Sequence, residues 1–217
     1  SSTLTSGNVL SILHFIKLLR DKCLPPDDFI RSIIKGQWLK TESHGYRSPD
    51  GSVLFDQEWI IASKISDIPF IDREVYGEEI LDFKTELELL GVVVSFNKNY
   101  QLVADHLKSP SCLTSLAPEA VLLMLQIMHI SNSSNKIVEA LRGKKCLKTN
   151  NGYKSPSECL LFHPEWGCLL QVFSGVPLID HNLYGDIIFS FRDELRKIGV
   201  VVDFEEAAKV FAHHFRQ

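Results

Sequence analysis

The chain has 217 residues, of which 45% are apolar and 23% charged, and it carries a net charge of −4. That composition belongs to globular proteins, and the mild acidity argues against a dedicated nucleic-acid binder. No window holds about 18 consecutive apolar residues, so no membrane helix is expected, and the opening SSTLTSGNVLSILHF lacks the basic leader and small-residue cleavage site of a secretory signal.

In chain order, Val9 to Leu19 is apolar almost all round and predicts a helix buried on several sides. LPPDDFIRSIIKG follows, with a Pro25–Pro26 break, Asp27 as N-cap, a short helix and Gly36 as its stop. WLKT (38–41) and SVLF (52–55) read as short strands, and HGYRSPDG between them has the Gly and Pro of a turn, so a hairpin is expected. QEWIIASKI predicts a helical turn, and IPFI a short strand followed by Asp72 as a cap. From Glu78 to Leu90, Ile80, Phe83, Leu87 and Leu90 mark one face of a helix, and Gly91 stands just past its end. VVV (92–94) then suits a covered strand, and a closing helix carries Tyr100, Val103, Ala104 and Leu107.

The cycle then recurs. Between Pro69–Asn97 and the segment 108 positions on, 14 of 29 residues are identical, where unrelated segments share about two, so an internal duplication follows. WLKTESHGYRSPDGSVLFDQEW answers CLKTNNGYKSPSECLLFHPEW, and the apolar stripe returns at Ile188, Phe191, Leu195 and Ile198, with Gly199 after it. The expected architecture is α+β, or α/β should the strands be parallel: two tandem copies of a unit of about 108 residues, one over 1–110 and one over 111–217. The chain reads as a two-unit excerpt of a longer array.

The duplication also filters candidate sites. Cys146, Cys159, His163 and Cys168 have zinc-like residue types, but their counterparts are Trp38, Ser52, Asp56 and Ile61, and no CxxC occurs. Cys146 and Cys168 therefore read as small core residues. Five cysteines at irregular spacing suggest reduced thiols and an intracellular home, nucleus or cytoplasm. Ser43, His44 and Asp50 crowd one turn, yet the second copy has Asn151 in place of His44, which argues against a triad. No Walker, Rossmann, zincin or nucleophile-elbow motif is present, so no catalytic residue, cofactor site or metal site is assigned. Gly45, Tyr46, Pro49, Trp59, Asp72 and Tyr76 recur in the second copy as Gly152, Tyr153, Pro156, Trp166, Asp180 and Tyr184; such a set could line a groove, and turn formers, a buried Trp and a helix-capping Asp explain it equally well.

Positive charge is kept beside the hairpin in both copies, at Lys40 and Arg47 and at Lys148 and Lys154. With Tyr46 and Tyr153 these six residues are the candidate partner-binding set, the alternative being a solvated edge guarded by lysines. Charge is uneven: residues 1–108 net −4 and residues 109–217 net zero, with a basic stretch from Lys136 to Lys154. Two helices and a basic hairpin also resemble a winged helix, which makes a nucleic-acid-binding module the rival function, although PDDFIRSIIKG is not a basic recognition helix.

GYRSPDGSVLFDQEW and GYKSPSECLLFHPEW, joined to IPFIDREVYG and ELELLGVVVSF, carry a family resemblance. The chain resembles the repeat region of large plant proteins of the NO VEIN and sacsin-like type, which carry elsewhere a module similar to the histidine kinase-like ATPase of heat-shock chaperones and gyrase. The likeness covers nearly the whole chain, twice, but no glycine-rich ATP-lid signature is present. The resemblance implies a non-enzymatic scaffold or partner-binding segment of a chaperone-like protein. Its partners would be other proteins and neighbouring repeats of the parent chain, with no membrane.

Overall fold

The computed structural model describes residues 4–97, 99–131, 134–169 and 175–216, with backbone only at 134, 168 and 169. The fold is α+β, and the chain divides into two compact units, Ser1–Ser63 with Asp67–Leu102 and Lys64–Ser66 with Val103–Gln217. Among the described residues no helix is long and apolar enough to cross a membrane.

The first unit opens with α1 (Ser6–Asp21), started by a capping box in which Thr5 and Asn8 satisfy each other's backbone N–H. Its Val9, Leu13 and Ile16 are fully buried. Helix α2 (Asp27–Ile33) follows. Asp27 is its first residue and not its N-cap; Pro26 holds that place without a side-chain bond. Proline can occupy it because helix N-termini need no donor there, and Asp27 and Asp28 favour the helix through its dipole instead.

The hairpin differs from its expected form. Strands β1 (Leu39–Thr41) and β2 (Gly45–Arg47) pair antiparallel, Lys40 opposite Tyr46, so the second strand lies inside the stretch read as a turn. Gly45, at φ +68°, lets the chain reverse after three polar residues. Pro49 then breaks the ladder, and the Ser52 N–H folds back onto its carbonyl at 3.0 Å. SVLF contributes one bridging residue: Val53 pairs in parallel with Phe70 on one side and Val93 on the other.

Helices α3 (Ile60–Ile65) and α4 (Arg73–Tyr76) follow, and Asp72 caps α4 by accepting from the N–H groups of Glu74 and Val75. The helix expected over Glu78–Leu90 is two pieces, a 3-10 segment Glu78–Phe83 and α5 (Lys84–Leu89). The apolar stripe runs across the junction, with Ile80 and Phe83 in the 3-10 segment and Leu87 in α5. Ile80, Phe83, Leu87 and Leu90 all reach the core with α1. Gly91 adopts φ +83°, and a Cβ there would sit 2.7 Å from Asp50 Oδ1, so both backbone angle and space demand glycine.

Helix α6 (Tyr100–Asp105) contains the division between the units, since Val103 belongs to the second. The second unit continues with α7 (Pro118–Ile130), buried along most of its length, and α8 (Ser134–Leu141). Strands β3 (Leu147–Thr149) and β4 (Gly152–Lys154) pair Lys148 with Tyr153. Leu160 makes parallel bridges to Leu178 and Val201, matching Val53 residue for residue. Helices α9 (His181–Tyr184), α10 (Arg192–Ile198) and α11 (Phe204–His214) complete the unit. Asp180 stands before α9 as Asp72 does before α4, but its side chain makes no capping bond.

Candidate functional site

Each hairpin is locked to its unit through one strand. The backbone N–H of Lys40 donates to the phenol oxygen of Tyr76 at 2.8 Å, and the carbonyl of Lys40 accepts from the N–H of Asp72 at 3.1 Å. Lys148 repeats both bonds, to Tyr184 at 2.9 Å and from Asp180 at 3.2 Å. Tyr76 and Tyr184 are buried, and burial raises the pKa of both phenols, so they stay neutral and bonded. The outer edge of β1 is thus covered by residues 70–76, and that of β3 by the corresponding stretch. The reading of a solvent-facing edge guarded by lysine fails for these strands, whose outer backbone groups are already paired.

Because side chains alternate along a strand, paired residues share a face. The Lys40 ammonium lies 5.4 Å from the centre of the Tyr46 ring, and the Lys148 ammonium 5.1 Å from that of Tyr153. At partly exposed sites such cation–π pairs contribute about 0.5–1 kcal/mol. Four of the six candidate residues therefore form two cross-strand pairs. Arg47 and Lys154 register opposite the buried Leu39 and Leu147, out of phase with the tyrosines and on the other hairpin face. The two tyrosines are not equivalent. Tyr46 is exposed at 38%, whereas Tyr153 is half-buried and donates its phenol hydrogen to the Leu116 carbonyl at 3.2 Å.

The charge around the hairpins differs as well. Glu42, Asp72 and Glu74 surround a cavity of about 370 Å³ beside β1. Burial, then the neighbouring Asp72 and Glu74 charges, pushes the Glu42 carboxyl above the usual glutamate value. The second unit replaces Glu42 and Glu74 with Asn150 and Asn182. Asn150 there bonds into the framework, its Oδ1 accepting from Leu178 N–H and its Nδ2 donating to Val176 O. The basic stretch of the second unit is partly committed: Lys136 pairs with Asp105 at 2.6 Å, and Arg142 donates to the Lys197 carbonyl.

Ser43, His44 and Asp50 do not form a trio. Ser43 Oγ lies 2.8 Å from His44 Nδ1, but the carboxylate facing Nε2 is Asp67, 3.8 Å away and 63% exposed. A solvated acid beyond hydrogen-bond distance neither orients nor shields an imidazole as a triad acid does. Cys146 and Cys159 are buried, donate to the carbonyls of Leu141 and Ser155, and have thiols pushed up to about 12 by burial. They behave as apolar core thiols. The Cys168 side chain lies outside the described residues. Among those described, no three His, Cys, Asp or Glu side chains are placed to hold a metal.

One recurrent feature escaped the sequence reading. Glu86 and Glu194 stand 108 positions apart, each one residue before a leucine of the apolar stripe, and both are buried. Arg20 of α1 reaches Glu86 at 2.5 Å, and His129 of α7 reaches Glu194 at 2.9 Å. Shared identity between the copies was the available signal; a charged residue beside an apolar stripe otherwise reads as solvated.

No family model matches the chain, and no curated protein or solved structure matches it.

Proposed function

We propose that the chain is a non-enzymatic, partner-binding scaffold segment of a large intracellular chaperone-like plant protein of the NO VEIN and sacsin-like type, and that the Lys40–Tyr46 pair is its principal contact. The observation that carries this reading is the shared build of the two hairpins. Each anchors its lysine backbone with a buried tyrosine and presents a second tyrosine under the lysine side chain. A rigid, amphipathic aromatic on a fixed hairpin suits recognition of another protein. Two of the polar groups shared by both units, the hydroxyls of Tyr76 and Tyr184, are spent on framework bonds. Free thiols at Cys23, Cys112, Cys146 and Cys159 accord with a reducing compartment, nucleus or cytoplasm.

The test is affinity capture from plant extract with the 217-residue chain as bait, with and without nuclease, at low and moderate salt. The expected result is a specific protein that survives nuclease and moderate salt and is lost with Tyr46→Ala. Capture that ignores Tyr46→Ala overturns the role given to the hairpin.

A nucleic-acid module is the second reading, and the neutral Asn150 and Asn182 favour it only for the second hairpin. It predicts duplex binding that weakens with salt and disappears in the Lys148→Glu, Lys154→Glu double variant. Three carboxylates around the first hairpin oppose phosphate there.

A further inference from the structure

The first unit holds a second, separate cavity of about 210 Å³. Leu54, Phe55, Leu81 and Val94 form its apolar wall; Asp56, Gln57, Arg73 and Lys84 are its polar groups. Drug-sized ligands occupy about 300–1,000 Å³, so this space suits a single ring. Three observations bear on what enters it.

The duplication supplies the first. Leu81 corresponds to Phe189 of the second unit, Asp56 to His163 and Arg73 to His181. Phe189 packs between those two residues, its ring centre 6.0 Å from that of His163 and 6.2 Å from that of His181. The second unit therefore fills with its own aromatic ring the place where the first keeps a cavity.

The second observation is Arg73. Its Nη2 pairs with the exposed Glu78, but its Nε is buried and has no hydrogen-bond partner. That Nε is closed to a water-sized probe, so what the guanidinium offers an entering anion is its positive charge. The third is Lys84, which makes no hydrogen bond or ion pair with the described residues. Its counterpart Arg192 donates to the Val202 carbonyl at 2.8 Å and reaches Asp203. Asp56 adds one negative charge at the rim, but its Oδ1 is engaged as cap to the Glu58 N–H.

We propose that this cavity binds an aromatic carboxylate. The ring takes the place that Phe189 fills in the second unit, and the carboxylate accepts from Lys84 Nζ beside the Arg73 guanidinium. That chemistry is met both by a small free aromatic acid and by the C-terminal aromatic residue of a peptide. The site is distinct from the Lys40–Tyr46 pair, so it stands or falls independently of the scaffold reading.

The experiment is a two-dimensional amide NMR titration of the isotope-labelled 217-residue chain with 3-phenylpropionate. Saturable shifts are expected at residues 54–57, 81, 84 and 94, with a Kd of roughly millimolar for so small a ligand. Leu81→Phe should abolish binding, and its unchanged amide dispersion elsewhere would show that it folds. Lys84→Gln should weaken the acid about fivefold while leaving uncharged 3-phenylpropanamide unaffected, as loss of one charge-assisted bond requires. A parallel titration uses an acetylated peptide ending in phenylalanine. Tighter binding of the peptide assigns the ligand to a chain terminus, and equal or weaker binding assigns it to a free acid; either supports the site. Absence of saturable shifts, undiminished binding in Leu81→Phe, or equal affinity for 3-phenylpropylamine overturns the proposal.

Discussion

Tyr76→Phe removes one oxygen atom and with it the acceptor for the Lys40 N–H. The ring stays in its buried place, so packing is preserved and the change isolates a single bond of 2.8 Å. A backbone donor left unpaired in a buried setting costs about 1–3 kcal/mol. Lys40 is only half-buried, so water can partly replace the phenol, and the expected loss is about 1.5 kcal/mol. For a unit of this size that corresponds to a fall in Tm of about 6–12 °C. Urea unfolding followed by tryptophan fluorescence measures the loss, with an unchanged m-value showing that the unfolded state is unaffected. Hydrogen exchange gives a local reading: the Lys40 amide should exchange about tenfold faster, 1.4 kcal/mol being a factor of ten. Tyr184→Phe should behave alike at Lys148, whose bond is 2.9 Å. A loss below about 0.3 kcal/mol with unchanged Lys40 exchange would refute the claim that the phenol holds the strand.

Arg20→Met should cost about 2–3 kcal/mol in urea unfolding, because it strands the buried Glu86 carboxylate, and Arg20→Met with Glu86→Leu should recover most of that loss. Alkylation followed by peptide mapping at pH 8 should label Cys23 and Cys112 readily and Cys146 and Cys159 about a thousandfold more slowly, since thiols with values near 12 supply little thiolate. Glu42→Gln should raise stability at neutral pH by less than about 0.5 kcal/mol, by removing a carboxylate that the fold disfavours. The sign follows from its raised value: the folded state tolerates the protonated form better, so the advantage of the variant is full above the Glu42 value and vanishes as pH falls below the ordinary glutamate range. Thermal melts across that range check it.

The parts of the fold that could be read from the sequence are those set by local periodicity. Ile80, Phe83, Leu87 and Leu90 are buried as their spacing requires, and Asp72 caps the helix it precedes. The matching segments of the sequence predict equivalent positions, and Val53 and Leu160 bridge in the same way. What could not be read depends on partners distant in sequence. Tyr76 and Tyr184 looked like groove or core residues, and only folding shows that their hydroxyls meet a backbone amide 36 positions away. The hairpin was misplaced because the turn signals in HGYRSPDG mark two reversals, one on each side of the three-residue β2. For the candidate site, the pairing of Lys40 with Tyr46 and of Lys148 with Tyr153 depends on register. With one residue of slip Arg47 would face Lys40 instead, and residue types alone do not set the register.

The brevity of β2 limits how another chain can approach. The far side of β1 is occupied by residues 70–72, so β2 supplies the hairpin's remaining edge, and it is three residues long. A foreign strand laid along it would gain too few main-chain bonds to register securely, which also makes the hairpin a poor template for sheet growth. A polypeptide that recognises this hairpin must therefore read side chains, and its specificity would reside in the tyrosine and lysine and not in backbone complementarity.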